Sequence, residues 1–148
     1  MDLAINLTQS QALWTLFSSA FIASTVAPGG SEVVLAYLVK QGQITVPILL
    51  LIAAIGNTLG ALTTLYLGQW ASRRWSPDDP RHRSHQKAIS SLRKHGYPAL
   101  LFSWIPLIGD GFCFAAGWLQ LSVPLAVIFI GIGKTIRYAV VIGLVHQF

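Results

Sequence analysis

Charge is what this sequence has least of. Charged residues make up 10% of its 148 residues and hydrophobic ones 53%, whereas a soluble domain carries roughly 25% charge. No charged residue occurs between Lys40 and Arg73, a run ample for a membrane span of about 20 residues. A buried soluble core needs no such run, so an integral membrane protein of one domain, residues 1–148, is expected. Cysteine is almost absent too. The single Cys113 excludes an internal disulfide and a cysteine zinc cluster, and reads as a small apolar packing residue. No basic n-region with a cleavage site opens the chain, so no cleaved signal peptide is expected.

The charge that remains is unevenly placed. Of the ten basic residues, seven lie between Arg73 and Lys94. Between apolar segments such a cluster marks a cytoplasmic loop, here residues 71–97, rather than a nucleic-acid surface. Ser76-Pro77-Asp78-Asp79-Pro80 is turn chemistry. Arg81 to His95 reads as a basic amphipathic helix with Ala88, Ile89 and Leu92 on one side, lying on the membrane surface with anionic lipid as its partner. His82 and His85 have a helical spacing but no third ligand nearby, so no metal site and no cofactor is expected.

Two broken segments organise the apolar sequence. In Ala27-Pro28-Gly29-Gly30-Ser31-Glu32, and again in Ile105-Pro106-Leu107-Ile108-Gly109-Asp110, proline and glycine interrupt a helix and an acid follows. Pro28, Gly29, Gly30, Pro106 and Gly109 are the expected breaks. Backbone freed in this way must be buried in protein or line a wet cavity. Before the first break, Met1 to Ser10 reads as a frayed or interfacial lead-in. Gln11 to Val26, about 16 residues, falls short of a crossing. Val33 to Val39 follows the break. The pair forms either a re-entrant hairpin or a single kinked span from Gln11 to Val39, and the hairpin keeps Glu32 out of a spanning helix. Val46 to Trp70 is a long helix in which Gly56 and Gly60 form a small-residue packing face, with Asn57 available to hydrogen-bond across it.

The second half restates this order. Tyr97 to Ile105 and Gly111 to Leu119 are short arms around the second break, and Val123 to Val145 spans while carrying Lys134 and Arg137. At a shift of 78 residues Pro28 falls on Pro106 and Glu32 on Asp110. At 77, Thr45-Val46-Pro47 meets Ser122-Val123-Pro124 and Ile55-Gly56 meets Ile132-Gly133. Repeat 1 covers about 11–70 and repeat 2 about 98–146. With the basic loop cytoplasmic, the halves are inverted. The expected fold is an all-α integral membrane protein of two inverted repeats, each a re-entrant helical hairpin plus a long transmembrane helix, joined by the basic cytoplasmic helix. Such repeats place a site at their interface.

Glu32 and Asp110 are the intramembrane acids, and Lys134 and Arg137 the bases. Intramembrane charge is costly and points to function, so the acids are candidates for transport or proton coupling and the bases for binding a head group. Each acid alternatively caps the helix that follows it. Pairing of acids with bases is expected in so small a bundle. No nucleophile–base set is present, so an enzyme is not expected.

Taken together, Ala27-Pro28-Gly29-Gly30-Ser31-Glu32, Gly56-Asn57-Thr58-Leu59-Gly60, Tyr66-Leu67-Gly68, His95-Gly96-Tyr97, Ser103-Trp104-Ile105-Pro106, Ala116-Gly117-Trp118 and Gly133-Lys134 with Arg137-Tyr138 resemble the DedA family (SNARE-associated or VTT domain proteins), most closely its short YqaA-like bacterial branch. The resemblance implies two opposed re-entrant hairpins and a multi-pass protein of the bacterial cytoplasmic (inner) membrane. It also implies a lipid transporter or scramblase moving a phosphate-bearing head group, often with proton coupling. A membrane scaffold or biogenesis factor and a small-solute or ion exporter are the alternatives, and homo-oligomerisation is open. The broader family has an arginine three residues before and after the second proline, where this chain has Ser103 and Gly109. It has an acid where this chain has Gly30, with Glu32 two places later, and an acid on the first arm with no counterpart near Ser18.

Overall fold

The computed structural model describes residues 2–25, 30–74, 90, 92, 94–105 and 108–147, with side chains from Thr8 onward. Pro28, Gly29 and Pro106 lie outside the described residues, as do 75–89 of the basic loop and so most of the expected surface helix Arg81–His95. The described elements are α1 (Asp2–Thr25), α2 (Gly30–Gln41), α3 (Val46–Arg74), a 3-10 segment (Tyr97–Trp104), α4 (Ile108–Trp118) and α5 (Val123–Gln147).

Among these, α3 and α5 are long and apolar enough to cross a membrane. The pattern on α5 is inside-out relative to a soluble helix. Leu125, Ile128, Ile132, Ile136, Val140 and Leu144 stand exposed at helical spacing, while Lys134, Arg137 and Tyr138 face inward. A continuous apolar outer stripe over a polar inner face is the arrangement a lipid solvent selects, and in water it would be an aggregating patch.

Four expectations change. The lead-in Met1–Ser10 is helical from Asp2, because no proline or glycine precedes Pro28 to interrupt α1. At 1.5 Å per residue its 24 residues reach about 36 Å, well beyond the short arm expected. The helix after the first break starts at Gly30 rather than near Val33, so Ser31 and Glu32 fall inside its first turn. Gly30 is thus helical and Gly109 sits in the first turn of α4, so neither is a break outside a helix. Finally, the first arm of the second half is a 3-10 helix. Gly96 enters it at φ +69°, a left-handed conformation suited to glycine, and Pro98 stands in its first turn. Its eight residues cover only about 16 Å.

Glycines set the close crossings. A Cβ on Gly56 would stand 2.8 Å from the Phe17 carbonyl oxygen, and one on Gly60 2.5 Å from that of Phe21, so α1 lies directly on α3, as the small-residue face predicts. The same device joins α4 to α3, where Gly117 meets the Leu65 carbonyl and Gly68 that of Phe114. Two buried clusters result. Leu16, Leu35, Leu49 and Tyr138 belong to one; Leu65, Leu92, Leu100, Cys113 and Ile130 belong to the other.

Candidate functional site

Both bases project from one face of α5, because residues three and four apart on a helix share a face. Lys134 and Arg137 are separated by three positions and Tyr138 follows directly. Each base meets an acid in the first turn of a short helix. Lys134 Nζ donates to Asp110 Oδ1 at 3.1 Å, and the Arg137 guanidinium donates to Glu32 Oε1. The positive end of each short helix adds to the attraction for its acid. The two acids therefore converge on a single helix, and the expected pairing is present at both.

Burial within the pairs is unequal in a consistent sense. The Lys134 side chain is 1% exposed and Asp110 24%, while Arg137 is 8% exposed and Glu32 20%. The cations lie behind and the carboxylates in front. An unpaired cation there would carry the full cost of desolvation, so each base needs an anion in front of it.

Tyr138 is a site residue that the sequence reasoning left unassigned. It is fully buried, with its hydroxyl 2.9 Å from Ser31 Oγ and receiving a hydrogen bond of 2.8 Å from Asn57 Nδ2. Asn57 Nδ2 also donates to the Ala20 carbonyl at 3.1 Å, the cross-helix bond expected of it. Ser31 Oγ donates to Glu32 Oε2 at 3.4 Å. A signal existed: a tyrosine in the middle of an apolar span must find a partner for its hydroxyl. The Asn57 Oδ1 and Ser24 Oγ atoms, on the α1–α3 contact, have no hydrogen-bond partner among the described residues.

Around Asp110 the packing is of another kind. Ser103 is buried and donates to the Ile130 carbonyl at 3.4 Å. A Cβ on Gly109 would collide with the Ser103 backbone, and one on Gly133 would stand 2.6 Å from Ser103 Oγ and 2.7 Å from the Leu101 carbonyl oxygen. A long cationic side chain does not fit at 103 or 109. At these positions, where the wider family carries arginine, this chain is closed by small residues.

Beside Gly30 an open cavity of about 620 Å³ is lined in part by Thr15, Ser18, Ser19 and Ile22 of α1. No group of three or more His, Cys, Asp or Glu that could hold a metal occurs among the described residues.

The chain is 39% identical over 147 residues to an uncharacterized protein of Haemophilus influenzae, covering 95% of this chain and 91% of that one. It is 37% identical over 135 residues to the inner membrane protein YqaA of Escherichia coli and of Shigella flexneri, covering 91% of this chain and 92% of each relative. No family model matches, and no solved structure does. With more than a third of its residues identical to such a relative over nine-tenths of both chains, the chain belongs to the DedA family, in its YqaA-like branch.

Proposed function

We propose that the protein moves a phosphate-bearing lipid head group through the bacterial inner membrane, as a transporter or scramblase of the DedA type. The observation that carries this reading is the layering of the two ion pairs, with Lys134 and Arg137 buried behind partly exposed Asp110 and Glu32. A carboxylate and a phosphate present the same charge and similar oxygen geometry to a guanidinium. The acids therefore occupy the places that a head-group phosphate takes when it arrives. Exchange of one anion for the other keeps the buried cations neutralised at every stage, and a proton taken up by the displaced acid couples the exchange to pH.

In this reading α1–α2 and the 3-10 segment with α4 are the two re-entrant hairpins of an inverted repeat. The chain is multi-pass, and the loop 71–97 faces the cytoplasm by its positive charge. The cavity beside Gly30 is mostly apolar, with Trp14, Ile22 and Ala23 in its wall and the hydroxyls of Thr15, Ser18 and Ser19 among them, so it suits the passage of acyl tail and head group together.

The test is a flip assay with labelled phospholipids in vesicles holding the full-length protein. Flip above that of empty vesicles, reduced by Arg137→Gln and Lys134→Gln, is expected. No flip with any of several phosphate head groups would sink the reading and leave a membrane scaffold, whose acids and bases only satisfy one another. Flip that is unaffected by either substitution would detach the activity from this site.

A further inference from the structure

We infer that Tyr138 is the positioning residue of the site: Asn57, Tyr138 and Ser31 form a one-way chain of hydrogen-bond donors that ends on Glu32 and holds its carboxylate ionised against Arg137.

The direction follows from chemistry at each link. Asn57 Nδ2 can only donate, and its orientation is fixed by the Ala20 carbonyl at 3.1 Å. Turning the amide over would set oxygen against that carbonyl. Nδ2 therefore donates to the Tyr138 oxygen at 2.8 Å. The Tyr138 proton is left to point at Ser31 Oγ, 2.9 Å away, and the Ser31 proton points at Glu32 Oε2, 3.4 Å away. Glu32 Oε1 is taken by Arg137. Both carboxylate oxygens thus receive donors, which favours the ionised form over the neutral acid.

A neutral Glu32 that donated through Oε2 would turn Ser31 and then Tyr138 around, and that reversal stops at Asn57, where two donors would meet. With its proton on a free lone pair instead, it would be a weaker acceptor for both Arg137 and Ser31. Neutralisation of Glu32 therefore loosens the contact between α2 and α5.

The charged and titratable groups around Glu32 fit this account among the described residues. Arg137 and Tyr138 come from α5. Lys134, one turn earlier on that helix, is held by Asp110 of α4. Asn57 on α3 and Ser19 on α1, the residue nearest Gly30, are neutral. The inference rests on the transport reading only for the purpose of the opening, and the state of Glu32 can be read without transport.

The experiment is infrared difference spectroscopy of the full-length protein in phosphatidylethanolamine–phosphatidylglycerol vesicles across a pH series. Subtraction of the Glu32→Gln spectrum isolates the Glu32 bands. An ionised carboxylate is expected at pH 7. In Tyr138→Phe the midpoint of its protonation rises by about one pH unit or more, because Ser31 is freed to accept from the neutral acid. Ser31→Ala removes the last donor and also raises it, while Ser31→Thr keeps the hydroxyl and restores the original midpoint. If Tyr138→Phe does not fold, the Ser31 pair carries the same test. A protonated Glu32 at pH 7, or one midpoint shared by all these variants, overturns the inference. Absence of lipid flip together with the expected midpoints would remove the transport reading and leave the chain of donors standing.

Discussion

The two ends of the site hold their acids by different means. Glu32 is backed by side chains, with Ser31, Tyr138 and Asn57 in sequence behind it. Asp110 is backed by backbone, with Gly109 and Gly133 pressed on Ser103. Side-chain hydrogen bonds can be exchanged one at a time, whereas close-packed backbone moves as a block. On the proposed transport reading, the difference predicts that the α2 end yields first and the α4 end serves as the fixed wall. Positions 57 and 134, matched at the 77-residue shift, carry the same contrast. The first half buries an amide there and the second half an ammonium.

The largest expected effect breaks both ends alike. Glu32→Ala or Asp110→Ala strips a buried cation of its partner in a water-poor interior, at a cost of about 3–5 kcal/mol. A large fall in the thermal midpoint of the detergent-solubilised protein is the expected reading. The double substitution Glu32→Leu with Arg137→Leu removes the whole pair and recovers most of that loss. If the double variant falls as far as the single one, the charge argument fails and packing alone explains the site.

Next in size is a pair of glycine substitutions that separates the ends. Gly109→Ala drives a methyl group into the Ser103 backbone, and overpacking of this kind costs about 1–3 kcal/mol. Among the described residues Gly30→Ala meets only Ser19 Oγ at 3.9 Å, and it stays within about 0.5 kcal/mol of the parent. Equal losses at both positions, measured by thermal unfolding, would erase the proposed difference between the rigid wall and the openable end.

Much of this was legible in the sequence, for definite reasons. Residues that are expensive in lipid have few permitted places, so Glu32, Asp110, Lys134 and Arg137 announced themselves and their pairing. Gly56, Gly60 and Asn57 were legible because small residues at i and i+4 in an apolar helix serve close crossing. What escaped depended on partners brought together from distant parts of the chain. Tyr138 is set apart from other span aromatics only by the hydroxyl and amide it meets from α2 and α3. The role of Gly109 lies in the Ser103 backbone opposite it, which no spacing encodes. The length of α1 and the 3-10 form of Tyr97–Trp104 escaped because the repeat preserves the order of elements and not their geometry. Prolines at 98 and 106 and a left-handed Gly96 confine the second arm, and nothing comparable constrains α1 before Pro28.

A smaller effect sharpens the contrast at position 57. Asn57→Leu keeps the bulk and removes two bonds, to the Ala20 carbonyl and to the Tyr138 hydroxyl, but it also removes the unpartnered Oδ1. The gain offsets part of the loss, leaving a net destabilisation of about 1 kcal/mol. Hydrogen exchange should rise in α2, through the loosened Tyr138–Ser31 link, and stay unchanged in α4. Equal rises in both helices would show that the two ends open together.

The smallest expected effect is the control for the glycine argument, and it runs in the opposite direction. Gly143 lies on the same helix as Gly133, but among the described residues nothing stands within 4 Å of where its Cβ would be, and its face is exposed. Gly143→Ala therefore adds no collision and removes backbone freedom that the helix must otherwise surrender. A gain of about 0.5 kcal/mol follows. Gly133→Ala, ten residues earlier, meets Ser103 Oγ and the Leu101 carbonyl and is expected to lose stability instead. Opposite signs in two thermal scans would establish that contact, rather than helix propensity, makes Gly133 necessary. A loss at both positions would mean that α5 needs its glycines for bending, and the wall behind Asp110 would then not be rigid.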